Sequence, residues 1–309
     1  MADIVVVGSL NADLTVNVPR FLKPGETLTG SKFSIFTGGK GGNQAVAAAR
    51  LGASVAMVGC VGDDANGGMY RSSLEREGVT LSALRTIPEE TTGVAVITVD
   101  DRGENTIAIV PGANAALSVD VITDCRALIE GAKVCLFQLE TPLVSTQHAA
   151  AIAHAAGAQV ILDPAPAPDA PLPQALVMLC DYITPNETEL SLLTGMPVNT
   201  IEEAAEAAMK LIGQGAKAVI NKRGSAGALL VTREGYRMYP GYKVRAVATT
   251  AAGDTFNAGL AVGLSMDLSV ADSIRLANAA AAISVTALGA QGAMPSFEQA
   301  TALIDGLME

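Results

Sequence analysis

The sequence predicts an α/β protein: a central, mostly parallel sheet with helices on both faces, plus a small β-sheet lid. Three observations carry this. Short β-branched runs alternate with Ala-rich periodic segments along most of the chain, the pattern of parallel strands joined by crossover helices. Half of the 309 residues are apolar and 17% are charged, enough for a sizeable core in one domain. Two stretches break the alternation with strand-like segments and no helix between them.

Taken in order, apolar runs at 4–7, 55–58, 134–137, 160–162, 182–184 and 218–220 are the expected strands of a sheet buried on both faces. Helical periodicity falls at 43–51, 146–156, 201–212, 254–265 and 270–287. The two exceptional stretches, about 14–36 and 94–110, pair as a small antiparallel sheet standing off the body as a lid, or else extend the edge of the main sheet. Residues 163–173 hold five of the fourteen prolines and form an irregular loop after a strand. Residues 276–297 carry no charge and are long enough to cross a bilayer, but Asn278, Ser284, Thr286, Gln291 and Pro295 interrupt the run. A buried helix followed by a loop is the expectation there, with no membrane partner.

Charge excludes one class of partner. With 20 Lys and Arg against 31 Asp and Glu, a net charge of -11 and a pI near 4.7, the chain is not a non-specific binder of nucleic-acid backbones. Aromatic residues make up 4% and Trp is absent, which argues against a base-stacking platform. Cys60, Cys125, Cys135 and Cys180 are scattered, with no CxxC pair and no His at metal-ligand spacing, as in a reduced cytoplasmic protein. The start has no basic segment before its short apolar run and reads as a first strand, not a signal peptide.

Two nucleotide motifs are missing. Gly39-Lys40 is followed by Gly41, with Ser34 where a P-loop needs its first glycine, and Gly8-Ser9-Leu10 does not make GxGxxG. The strongest segment runs from Thr249 to Gly259, where small residues lead into an Ala-rich helix. There the amides of Ala252, Gly253 and Asp254 can point at one anion, favoured also by the helix dipole. Asp254 reads either as a base for a substrate hydroxyl attacking a γ-phosphate or as a plain helix cap.

Four glycines surround Lys40 just before a helix, so the backbone can approach a polyhydroxy ligand while Lys40 and Asn43 add donors; a flexible surface turn is the alternative. Asn11 and Asp13 follow the first strand and suit vicinal hydroxyls, or an Asx turn. Glu140 follows the strand at 134–137. Asn186 and Glu189 open a helix and could hold a hydrated Mg²⁺, or could simply cap it. Gly224, Ser225 and Gly227 could border a nucleotide or form a hairpin turn. His148 and His154 do not share a helix face and have no expected role.

Together these ordered motifs resemble the ribokinase group of the PfkB carbohydrate kinases, along nearly the whole chain. The resemblance rests on Gly8 to Asp13, Gly38 to Gln44, Gln138 to Glu140, Thr184 to Glu189 and Ala251 to Asn257. It implies an ATP- and Mg²⁺-dependent kinase acting on the 5-hydroxyl of D-ribose, or on deoxyribose, a fructose-type sugar or a nucleoside. By the same resemblance Asp254 is the base, the Ala252 to Asp254 amides are the anion hole, and Asn11, Asp13, Gly39, Lys40, Asn43 and Glu140 line the sugar site. Asn186 and Glu189 then stand beside Mg²⁺ and phosphate, Lys222, Gly224, Ser225, Gly227 and Asn278 border the nucleotide, and the lid makes a homodimer contact. The family commonly has Asp six residues before its catalytic Asp, where this chain has Ala248, which leaves a K⁺ site there without its carboxylate. It also often has Thr where Lys222 stands. A regulatory sugar- or nucleotide-binding protein is the rival of another class, disfavoured because Asp254, Gly253 and Asn43 are all present; a nicotinamide-dependent dehydrogenase lacks its glycine fingerprint.

Overall fold

The computed structural model describes residues 2–287 and 289–307. From the N-terminus come β1 (Ile4–Val7), β2 (Asn11–Asn17), β3 (Lys32–Gly38), α1 (Lys40–Arg50), β4 (Val55–Gly62), α2 (Ala65–Arg76) and β5 (Leu84–Ile87). Next are β6 (Gly93–Val99), β7 (Asn105–Val110), a 3₁₀ turn at Gly112–Ala116, α3 (Val119–Asp124), α4 (Arg126–Glu130), β8 (Val134–Phe137), α5 (Leu143–Ala155), β9 (Gln159–Leu162) and α6 (Gln174–Val177). The chain continues through β10 (Tyr182–Ile183), α7 (Glu187–Thr194), α8 (Ile201–Gly213), β11 (Ala218–Lys222), β12 (Gly227–Thr232) and β13 (Gly235–Pro240). It ends with α9 (Ala252–Ser265), α10 (Val270–Ser284) and α11 (Phe297–Ile304).

Nine strands form the main sheet in the order β13-β12-β11-β10-β9-β8-β1-β4-β5. Strand β12 pairs antiparallel with both β11 and β13, and all the other pairs are parallel. Alternation along β1 shows why both faces are covered. Val5 and Val7 pack with residues of α5 and α8, while Ile4 and Val6 pack with residues of α1, α9 and α10. From β1 the chain builds outward in both directions, to β4 and β5 on one side and to β8 through β11 on the other. The strand order therefore reverses beside β1, and a crevice opens there at the carboxyl ends of the strands.

The small sheet has the order β3-β2-β6-β7. It is mixed, not antiparallel as expected: β2 runs parallel to β6, with Leu14 opposite Val96, and only the two flanking pairs are antiparallel. Hydrophobic alternation sets the face of each residue but says nothing of strand direction, hence the error. Asp13 lies opposite Phe36 and Ala95, whereas Leu14, Ile35 and Val96 share the other face. On that other face Phe33, Ile35, Val96 and Val110 stand exposed.

Four further corrections concern boundaries and edges. Helix α1 starts at Lys40, so Gly41 and Gly42 belong to its first turn, while Gly38 ends β3 and Gly39 caps the helix. Likewise α9 begins at Ala252, two residues before Asp254, and α10 stops at Ser284. The edge strands β5, β12 and β13 have no counterpart among the expected strands. No helix among the described residues is long and apolar enough to cross a membrane. All four cysteines are buried and free, and burial pushes the Cys60 and Cys135 thiols up to about 12.

Candidate functional site

The carboxyl edge of the sheet gathers many of the predicted residues together with others not singled out from sequence. Past β1 lie Ser9 and Asn11, past β8 Gln138 and Glu140, past β9 Asp163, past β10 Asn186, and Lys222 ends β11. Helices α1 and α9 aim their N-terminal turns at the same place.

Helix α1 reaches it because the glycines at its N-terminus have no side chains to obstruct the approach. A Cβ at Gly41 would stand 2.6 Å from the Ser9 amide nitrogen, and one at Gly39, whose φ is 79°, would stand 2.7 Å from that of Asn11. The backbone amide of Lys40 donates to Glu140 Oε2 at 3.1 Å, and the Ser9 hydroxyl donates to the same oxygen. Asn11 is fixed by Asn114, whose Nδ2 donates to Asn11 Oδ1 at 2.8 Å.

Asp254 is buried in the first turn of α9 but does not cap it. Ala251, at φ 61°, holds the cap position without a side-chain bond. The Asp254 carboxylate instead accepts from Asn43 Nδ2 at 2.9 Å and from Gln44 Nε2 at 3.2 Å. The helix-cap reading is thereby removed. Burial pushes its pKa up to about 6, with Lys40 opposing and Asp163 adding to the rise. The Ala252 amide reaches the Thr249 carbonyl at 3.3 Å, while among the described residues no acceptor meets the amides of Gly253 and Asp254. Of the three amides expected to face an anion, two are therefore open.

Asp13 is pushed up to about 7 by burial, then by the charges of Glu140 and Asp254. Burial opposes the charge of Lys40, but the carboxylates of Asp254, Asp163, Glu140 and Glu189 outweigh it and hold its pKa above the ordinary lysine value. The Lys40 ammonium thus stands inside a ring of acids.

Two cavities meet at α9. One, of about 400 Å³, is largely apolar, walled by Tyr242, Phe256, Ala281 and Val285, with Gly224, Ser225, Gly227 and Asn278 at its border. The other, of about 440 Å³, is polar and holds Lys40, Asp163, Asn186, Glu189 and Asp254. Lys222, Ala252 and Gly253 line both. The residues at Gly224 to Gly227 also make the hairpin between β11 and β12, so the hairpin turn is itself the border of that cavity. Asn186 and Glu189 form a capping box on α7, with Asn186 Oδ1 accepting from the Glu189 amide at 2.8 Å. Burial raises the Glu189 pKa, with Lys222 opposing. Another cavity, of about 460 Å³, lined by His154, Asp181 and Lys217, receives none of the predicted residues.

A family model described as pfkB family carbohydrate kinase matches residues 1–296. The chain belongs to the pfkB family of carbohydrate kinases. This family member is 44% identical over 296 residues to ribokinase of Haemophilus influenzae, covering 96% of each chain. It is 38% identical over 297 residues to deoxyribokinase of Salmonella typhi, covering 96% of this chain and 97% of that one. Among solved structures it is similar to Arabidopsis thaliana ribokinase complexed with ribose and ATP, with a TM-score of 0.93 and 37% identity over 98% of each chain.

Several residues that organise this pfkB site were not singled out from sequence. Gln44 links Asp254 to Asp163, whose Oδ2 accepts from it at 3.1 Å. Gln138 Nε2 in turn donates to Gln44 Oε1 at 2.7 Å, and Gln291 Nε2 to Asn43 Oδ1 at 3.2 Å. Gln44 and Gln138 lie inside the motifs that carry the resemblance, the one signal that pointed to them. Asp163 was legible only as the start of a loop.

Proposed function

We propose that the chain transfers the γ-phosphoryl group of ATP to the 5-hydroxyl of D-ribose. The observation that carries this is Asp254, a buried carboxylate with a pKa of about 6, standing beside two open amides where an apolar and a polar cavity meet. ATP fits with its base in the apolar cavity and its phosphates over the first turn of α9, whose dipole favours anions. Asn11, Asp13, Gly39, Lys40, Asn43 and Glu140 supply the donors and acceptors that a pentose presents to on the other side. Kinship with two ribokinases supports ribose over the deoxyribose alternative.

In the reaction the 5-hydroxyl gives its proton to Asp254 as its oxygen bonds to the γ-phosphorus. The bond from that phosphorus to the bridging oxygen breaks, and the electron pair leaves with ADP. The Gly253 and Asp254 amides receive the developing charge. Among the described residues no three His, Cys, Asp or Glu side chains gather to bind a metal directly. The oxygens of Asn186 and Glu189 on the wall of the polar cavity fit Mg²⁺ held through water, an ion that would neutralise charge on the phosphates.

Ribose is expected to exceed 2-deoxyribose in kcat/KM by about 1 to 3 kcal/mol, because polar groups such as Asn11 and Asp13 lose a partner when the hydroxyl is missing. Initial rates over both sugars and a nucleoside test this; a higher kcat/KM for deoxyribose or the nucleoside overturns the choice of ribose. K⁺ should activate by less than about tenfold, under about 1.4 kcal/mol of barrier, since Ala248 offers no carboxylate. Titrating K⁺ into tetramethylammonium buffer at constant ionic strength measures it, and strong saturable activation contradicts the reading of Ala248. The small sheet serves as a lid and, through exposed Phe33, Ile35, Val96 and Val110, as a homodimer contact. Ile35→Glu should then shift the sedimentation coefficient from dimer to monomer; a parent that sediments as a monomer contradicts the contact.

A further inference from the structure

Lys222 is a buried cation at the seam of the two cavities. Its Nζ lies 2.8 Å from Asp163 Oδ1, with the two side chains 12% and 2% exposed. A Cβ placed on Gly253 would stand 3.3 Å from the same nitrogen, so the ammonium lies against the first turn of α9 beside the open amides. Asp163 also accepts from Gln44 Nε2 at 3.1 Å, and that nitrogen reaches Asp254 Oδ1 at 3.2 Å. One amide thus ties the carboxylate that aims Lys222 to the carboxylate that faces the substrate hydroxyl.

A buried ion pair is an inefficient way to stabilise a fold, because desolvation offsets most of the attraction and a neutral pair of similar size serves as well. Position gives this pair another use. Ammonium has three donors in a compact charge; Asp163 takes one, and the polar cavity lies open beside the others. A fixed cation there meets the oxygens on which charge grows during transfer, in surroundings that screen it less than water does.

We propose that Lys222 is a catalytic residue that contacts the transferred phosphoryl group, and that Asp163 is the residue that positions it. Lys222 keeps all its protons throughout: the hydroxyl proton still goes to Asp254, and the electron pair of the broken bond still leaves on ADP. The proposal rests on the kinase reading above and goes beyond a role for Lys222 at the nucleotide border.

Lys222→Met tests it together with the double variant Asp163→Asn, Lys222→Met, whose neutral pair keeps the fold if the single change does not. Both are expected to lower kcat by roughly 10²-fold, with the KM for ribose changed by less than about threefold. A second readout is thermal stabilisation by Mg²⁺, ribose and ADP with and without aluminium fluoride, a mimic of the phosphoryl group in flight. The variants should keep the response to ADP and lose the added response to aluminium fluoride. Retention of kcat within about threefold by an active parent's variants, or equal loss of both thermal responses, overturns the assignment. A parent without sugar-dependent ADP release overturns the kinase reading instead, and the assignment with it.

Discussion

Asp254→Asn is expected to lower kcat by roughly 10²-fold or more, the usual contribution of a positioned general base. Asparagine is nearly isosteric and keeps one of the two oxygens; Asn43 donates to Oδ2 and Gln44 to Oδ1, so one donor keeps its acceptor while the other faces the new amide NH2. Ribose and ATP contacts elsewhere remain, so the KM values should move far less than kcat. Burial pushes the pKa of Asp254 up to about 6 in the free protein, so the parent's kcat/KM should rise as pH increases through that value. The variant should lack that limb. A variant with most of the parent's kcat would leave Asp254 without a role as base.

Asp13→Asn is expected to act in opposite directions on binding and on stability. Losing a charged acceptor for a sugar hydroxyl should weaken ribose by about 1.5 to 3 kcal/mol, roughly 10- to 150-fold in KM. The fold, in contrast, should gain. The Asp13 carboxyl is pushed from 3.8 to about 7 by burial and by Glu140 and Asp254, so the folded state holds its proton more tightly than the unfolded state does. Its contribution is fully present below pH 3.8 and is lost as pH rises through about 7. An uncharged Asn does not lose this contribution, so the melting temperature of Asp13→Asn should exceed that of the parent most at pH 8, less at pH 5, and not below pH 3.8. Equal melting temperatures at pH 8 would show that the acids around Asp13 are screened. The parent's kcat/KM for ribose should also fall below pH 7 as Asp13 takes up its proton.

How far these residues were legible depended on whether local pattern or long-range packing placed them. Strands β1 and β8 are apolar runs because they are buried on both faces, and their expected limits match the structure residue for residue. The hairpin of β12 and β13 carries Gly227, Gly235, Arg237 and a half-exposed Tyr236, so at the sheet edge no continuous apolar run announced it. The start of α1 was hidden for a related reason. Gly41 and Gly42 are poor helix formers by propensity, yet contact with the backbone after β1 excludes a Cβ at Gly41. Residues at the carboxyl ends of strands, such as Asn11 and Glu140, followed from topology. The chain Gln138–Gln44–Asp163–Lys222 joins residues up to 119 positions apart, and no local spacing encodes such a partner set.

The central claim is transfer to a primary hydroxyl of ribose, and phosphorus NMR of the product tests it most directly. After incubation with ATP, Mg²⁺ and ribose, a phosphate ester on the 5-carbon is split by two methylene protons. The account predicts a new monoester signal with that two-proton coupling, formed in step with ADP. A signal coupled to a single proton would place the phosphate on a ring carbon, and a lone inorganic phosphate signal would mean hydrolysis without transfer; either result would contradict it.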